Sequence, residues 1–142
     1  MFDKFSDDSR TLLAIAREDA LRLGHDYIAP EHLLLAVTQT KSGAIKVLKD
    51  LEVDIEGLRA TVEAAAGTGD APADLKALPF TPGAKHVLEH TVEETKRLGH
   101  HKTGTEHLLL GLLRGTGGAA KALQAANVDL EEARIRVRAL RG

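Results

Sequence analysis

Two glutamates in this chain stand at matching places in a repeated string. Arg22-Leu-Gly-His-Asp-Tyr-Ile-Ala-Pro-Glu-His-Leu-Leu-Leu35 returns as Arg97-Leu-Gly-His-His-Lys-Thr-Gly-Thr-Glu-His-Leu-Leu-Leu110. Glu31 and Glu106 therefore each fall in the first turn of an apolar helix. A carboxylate there has two uses. It stabilises the positive end of the helix dipole by about 0.3–1 kcal/mol, or it accepts a guanidinium beside backbone N–H groups that can hold an anion such as phosphate. The two strings are unequally equipped for the second use. Gly104-Thr105 offers a hydroxyl and an extra backbone donor before Glu106, whereas Pro30 removes both before Glu31. Lys102, where the first string has Tyr27, is either a further phosphate contact or an exposed lysine.

Other chemistry is thinly supported. There are seven histidines, including His86 and His90 at i, i+4 and the pair His100-His101 near His107. A catalytic zinc needs three ligands and an open position, and no glutamate stands between His86 and His90 as zinc-protease motifs require. His25/His100 and His32/His107 recur with the string, which predicts hydrogen bonds from a loop to a helix start. The chain has no cysteine, so thiol nucleophiles, disulfides and cysteine-ligated metals are excluded. Ser6, Ser9 and Ser42 sit at helix starts, and no Gly-x-Ser-x-Gly elbow occurs. Neither enzymatic activity, a metal nor a cofactor is expected.

The formal net charge of −2 supplies no field for nucleic acid or anionic lipid. Arg134, Arg136, Arg138 and Arg141 spread around the last helix and read as a solvated face. No apolar run approaches the roughly 18–20 residues of a membrane span. The polar, acidic start lacks the pattern of a signal peptide. The chain is expected to be cytoplasmic and to bind neither nucleic acid nor membrane.

The elements that must position these residues follow from the repeat. At an offset of 75 the match runs without a gap from Phe5/Phe80 to Ala64/Ala139, with roughly 22 identities over about 60 positions against a chance value near four. Each copy reads as four short helices. The first is capped by Ser6 or Thr81, with Pro82 at the first helical position of copy two. Its inner stripe is Leu12, Leu13, Ala16, Ala20, Leu23, or Val87, Leu88, Thr91, Thr95, Leu98. Gly24 and Gly99 end it in a left-handed cap. The second helix starts at Pro30-Glu31 or Thr105-Glu106. The third follows Ser42-Gly43 or Gly117-Gly118, and the fourth follows a cap at Asp54 or Asp129. Residues 67–79 carry glycines and prolines and are expected to cross the surface and move. The fold expected is all-α: two pseudo-twofold-related four-helix repeats, 5–66 and 80–141, packed as one eight-helix domain over 1–142.

The duplicated Gly-His-x-x-x-x-x-Glu-His-Leu-Leu-Leu motif, the opening Met1-Phe2 with Phe5-Ser6, and Leu78-Pro79-Phe80-Thr81-Pro82 together resemble the Clp N-terminal (Clp repeat) domain, in its ClpC-type form, from Met1 to Leu140. The resemblance implies a module that sits ahead of the ATPase rings of an AAA+ unfoldase and docks protein adaptors or substrates of a Clp protease. For ClpC-like members it implies recognition of phosphoarginine. Glu106, Thr105, Gly104 and Lys102 would form the better site, with Glu31 the weaker one. The isolated domain is expected to be a monomer. No Gly-x-x-x-x-Gly-Lys-Ser/Thr occurs, since Gly115 to Lys121 has a different order, so this chain alone is not expected to hydrolyse ATP. The alternative role is a free-standing Clp-repeat protein acting as regulator, decoy or sequestering protein for a small-molecule ligand.

Overall fold

The computed structural model describes residues 2–140. Met1, at the opening motif, and Arg141, in the arginine series, lie outside the described residues. Repeat one holds α1 (Asp7–Arg22), α2 (Pro30–Thr38), α3 (Gly43–Asp50) and α4 (Ile55–Ala66). Repeat two holds α5 (Pro82–Arg97), α6 (Thr105–Leu113), α7 (Gly118–Ala125) and α8 (Leu130–Leu140). Hydroxyl caps open the long helices: Ser6 Oγ accepts the Ser9 N–H at 3.2 Å, and Thr81 Oγ1 accepts that of Ala84 at 3.1 Å. Gly24 and Gly99 take φ +80° and +70° just past them. Asp129 caps α8 by accepting the Glu132 N–H, whereas Asp54 and Ser42 make no such bond to α4 and α3.

The Leu-Leu-Leu triplets are buried on every side, because α2 and α6 lie at the centre of the molecule. They pack on each other, and each is flanked by helices of both repeats. The remaining contacts are reciprocal: α3 packs on α6 and α8 while α7 packs on α2 and α4, and α1 meets α6 as α5 meets α2. Such swapped pairs are the signature of an approximate twofold axis. The backbone repeats the exchange. Thr103 N–H donates to Lys4 O at 2.8 Å and Ser6 N–H to Thr103 O at 2.9 Å. Symmetrically, Ile28 N–H donates to Pro79 O and Thr81 N–H to Ile28 O, both at 2.9 Å. Each repeat's leading segment thus pairs with the turn before the other's central helix, and one apolar core runs through both halves.

Two expectations are corrected. Residues 67–79 are pinned rather than loose: Gly69 and Ala71 N–H groups donate to Leu23 O and Gly24 O at 2.8 Å, and Arg17 donates to the carbonyls of Leu75 and Lys76. Arg134 does not belong to a solvated face. It is buried and forks onto Glu94, with Nε to Oε1 at 2.8 Å and Nη2 to Oε2 at 2.7 Å. Arg114 adds a third bond to Glu94 at 3.0 Å. Burial alone would raise the Glu94 pKa, but the bonds and charge of Arg134, with the charges of Arg114 and Arg97, outweigh it and hold the carboxyl below its ordinary value. Repeat one has Asp19, Gln39 and Arg59 at the corresponding places. Gln39 donates to Asp19 at 2.6 Å, while Arg59 turns instead to Thr38.

Candidate functional site

The turn before each central helix is built from its histidines. His32 Nδ1 accepts the Ala29 N–H at 2.9 Å, so its Nε2 carries the proton and donates to His25 Nδ1 at 2.8 Å. His107 Nδ1 accepts the Gly104 N–H at 2.8 Å, and its Nε2 meets His100 Nδ1 at 2.8 Å. These are the loop-to-helix bonds expected from the recurrence of the pairs. Each pair fixes the first turn of α2 or α6, and with it the direction in which Glu31 or Glu106 leaves the helix. Burial, with the neighbouring His25, lowers the His32 pKa to about 4, so the His32 ring is held neutral.

Each glutamate faces a helix start that is not its own. A Cβ built on Gly118, the first residue of α7, would lie 3.0 Å from Oε1 of Glu31. One built on Gly43, the first residue of α3, would lie 2.9 Å from Oε1 of Glu106. The carboxylates of α2 and α6 therefore cross the pseudo-twofold to the third helix of the other repeat. Reading each helix start in isolation misses this, because only the swapped packing brings positions 31 and 118 together.

The two ends differ in what fills them. At Glu106 the space is taken by the chain itself. Thr105 Oγ1 accepts the Ala44 N–H at 3.1 Å and so caps α3 across the interface. Glu106 is 7% exposed and engaged within the chain. Its carboxylate folds over Gly104, where a Cβ would lie 2.0 Å from Oε1. The surface beside it is a shallow hollow of about 250 Å³ at Thr11, Ile15 and Lys41, whose lining includes neither Thr105 nor Glu106. Lys102 is exposed and borders neither hollow.

At Glu31 the same elements leave a cleft of about 320 Å³. Ala29 stands where Gly104 stands in the other repeat, and its Cβ denies Glu31 the folded-back position. Pro30 has no hydroxyl with which to cap α7, whose N-cap is Gly117 and which has no side-chain cap. Glu31 is half-buried and has no hydrogen-bonding or ionic partner among the described residues. The floor is Val87, Leu112 and Ala120, and the wall carries His86, His90 and Arg114. His90 Nδ1 is buried there without a partner among the described residues. These three are the residues that sequence reasoning missed for this site. The signal was present at the offset of 75, where Thr11, Ile15 and Gln39 become His86, His90 and Arg114. Among the described residues no three histidines or carboxylates are grouped to hold a metal ion, and no helix is long and apolar enough to cross a membrane.

Comparison with known proteins agrees with this architecture. The family model described as the Clp repeat (R) N-terminal domain matches residues 4–126 and again 93–140. The chain is 42% identical, over its whole length, to the ATP-dependent Clp protease ATP-binding subunit ClpA homolog of Guillardia theta, of which it covers 18%. It is 40% identical, over 96% of its length, to the chloroplastic chaperone protein ClpC2 of Oryza sativa subsp. japonica, of which it covers 15%. It thus spans less than a fifth of these relatives. The Hsp104 N-terminal domain from Candida albicans superposes with a TM-score of 0.81 at 17% identity, covering 99% of this chain and 93% of that one. The N-domain of ClpV from Vibrio cholerae gives 0.78 at 16% identity, covering 94% and 85%. Two helical repeats that complete each other's core, with this motif in both, place the chain in the Clp repeat N-terminal domain family.

Proposed function

We propose that the chain is a non-catalytic docking module that presents adaptors or substrates to a Clp-type AAA+ unfoldase, and that its cleft at Glu31 takes an arginine-phosphorylated segment. The relatives are named as ATP-binding subunits of a protease and as chaperones, and this chain corresponds to a small part of each. One observation carries the ligand reading: an unpartnered carboxylate stands beside an uncapped helix start in an open cleft. In phosphoarginine the guanidinium and the phosphoryl group are directly bonded, so a receptor must set a carboxylate and an anion-binding group within a few ångströms of each other. Glu31 and the backbone of Gly117 and Gly118 fit that demand, and His90 offers a further polar contact to the phosphoryl oxygens. The order of the two sites is therefore the reverse of that expected from Gly104-Thr105. The hydroxyl that favours Glu106 on paper serves the fold.

Calorimetric titration of a phosphoarginine peptide into the chain tests this. Loss of a charge-assisted pair costs about 1.5–3 kcal/mol, or roughly 10- to 150-fold in affinity. Glu31→Ala is expected to weaken binding by that factor and Glu106→Ala by much less. Equal binding by wild type and Glu31→Ala would remove the cleft from the account.

A further inference from the structure

Among the described residues, repeat one wears a strap with no counterpart on repeat two. Residues 67–79 fold back over the end of α1, bonded to Leu23 O and Gly24 O through Gly69 and Ala71 and to Arg17 through Leu75 and Lys76. The approach is close enough to require glycine on both sides. A Cβ on Gly24 would fall 2.1 Å from Gly69 O, and one on Gly69 would fall 2.5 Å from Gly24 O.

Adding 75 to these positions gives the corresponding surface on repeat two. Leu98 and Gly99 end α5 with the same backbone geometry that Leu23 and Gly24 give α1. Yet a Cβ on Gly99 would meet nothing within 4 Å, and no backbone N–H of the described residues is given to Leu98 O or Gly99 O. Next to Lys96 and His100, which flank these two residues in sequence, runs a groove of about 200 Å³ over Val92, Thr95 and Thr103, edged by Lys4 and Lys96. Asp3 and His100 complete the rim and are engaged in interactions of their own. The lysines are specific to this side, since repeat one has Pro79 and Leu21 at the matching places. The strap itself carries exposed Asp70 and Asp74.

We propose that this groove is a second docking surface, distinct from the Glu31 cleft, that receives an extended, acidic, glycine-bearing segment of another polypeptide in the register by which the strap covers repeat one. The occupant's N–H groups at alternate positions meet Leu98 O and Gly99 O, as in other main-chain-mediated peptide recognition. A glycine admits the close approach at Gly99, and acidic side chains meet Lys4 and Lys96. The molecule supplies its own template for the complex, because the strap on repeat one is such a segment already bound.

The test uses a synthetic peptide with the sequence of residues 66–78, titrated into the isotope-labelled full chain and followed by amide chemical shifts. Shifts at Lys96, Gly99, His100 and Thr103, with Leu23 and Gly24 unmoved, are expected. The same peptide with alanine in place of its second glycine should bind at least tenfold more weakly. Lys96→Glu in the chain should weaken the parent peptide severalfold. The proposal is overturned if millimolar peptide moves none of these amides, or if the alanine peptide binds equally well. It is overturned equally if the shifts appear at Leu23 and Gly24, because the peptide has then only displaced the chain's own strap. Dimerisation through exchanged straps, read by sedimentation, would assign the groove to a second copy and also overturn it.

Discussion

Acidification should loosen repeat one through a single side chain. His32 accepts the Ala29 N–H and donates to His25, and both roles require the neutral ring. Its pKa falls from 6.5 in the unfolded chain to about 4 in the fold, so the unfolded state binds the proton more readily. Stability from this group is fully present above pH 6.5 and drains away as pH falls toward 4. Taking those two values, going from pH 7 to pH 5 removes about 2 kcal/mol, a sizeable share of the roughly 5–15 kcal/mol that holds a domain of this kind folded. Asp19 works in the opposite sense. Burial raises its pKa, against the bond from Gln39 and the charge of Arg22, so it favours the fold as pH falls. Glu94, held low, loses its contribution only below the carboxylate range. The clean quantity is therefore a difference between proteins. His32→Gln keeps an acceptor for Ala29 and a donor for His25 without titrating near pH 6. Urea unfolding of both proteins at pH 7 and pH 5 should show the wild type losing about 2 kcal/mol more than the variant. Parallel losses in the two would refute the assignment of the acid limb to this ring.

Three further outcomes follow from the packing. Glu94→Gln leaves Arg134 buried with a weakened partner and is expected to cost about 3–5 kcal/mol in chemical denaturation, whereas Asp19→Asn, in the same place of repeat one, should cost much less because its partners are the neutral, exposed Gln39 and a half-exposed Arg22, so that no buried charge is left unpaired. Gly24→Ala should destabilise well beyond the roughly 1 kcal/mol of a left-handed alanine, since its Cβ strikes the strap, while Gly99→Ala should cost about that amount alone; equal midpoints in thermal melts would contradict the contact. Gly104→Ala should drive the Glu106 carboxylate out of its fold over the backbone, read as loss of amide hydrogen-exchange protection at Ala44 and Ile45, and protection unchanged from wild type would show that α3 does not depend on it.

The repeat made most of the architecture legible before any coordinates. Helix starts at Ser6 and Thr81, the left-handed glycines and the histidine pairs are local, and local chemistry is what a string of residues reports. The strap escaped because its anchors are backbone carbonyls at Leu23 and Gly24, which no residue type announces; Gly69 reads as a breaker although it serves close approach. Arg134 was misjudged because its partner Glu94 lies forty positions away, and an arginine among three others looks like surface. Glu52 and Asn127 show the same limit, since each adopts a left-handed conformation at matching places and the glutamate gives no sign of it. The candidate site was half readable. Glu31 and Glu106 were found, but their partners belong to helices brought near only by the exchange of faces between repeats.

That exchange explains why duplication produced two unlike ends. Each end takes its carboxylate from one repeat and its helix start, floor and wall from the other, so a substitution in either copy alters the end shared by both. Replacing Gly-Thr by Ala-Pro before Glu31 removes the cap from α7 and the resting place for the carboxylate in one stroke, and both losses open the same cleft. The changes to His86, His90 and Arg114 lie across that cleft and nowhere near the other end. Three of these five positions, His86, His90 and Arg114, offer polar or charged groups to whatever enters. At the Glu106 end, Thr105 and Gly104 do the reverse and commit the same space to holding α3. Two ends of one inheritance thus differ in that one is filled by the chain itself and the other is left as an open cleft, and Ala29 with Pro30 is where that division is made.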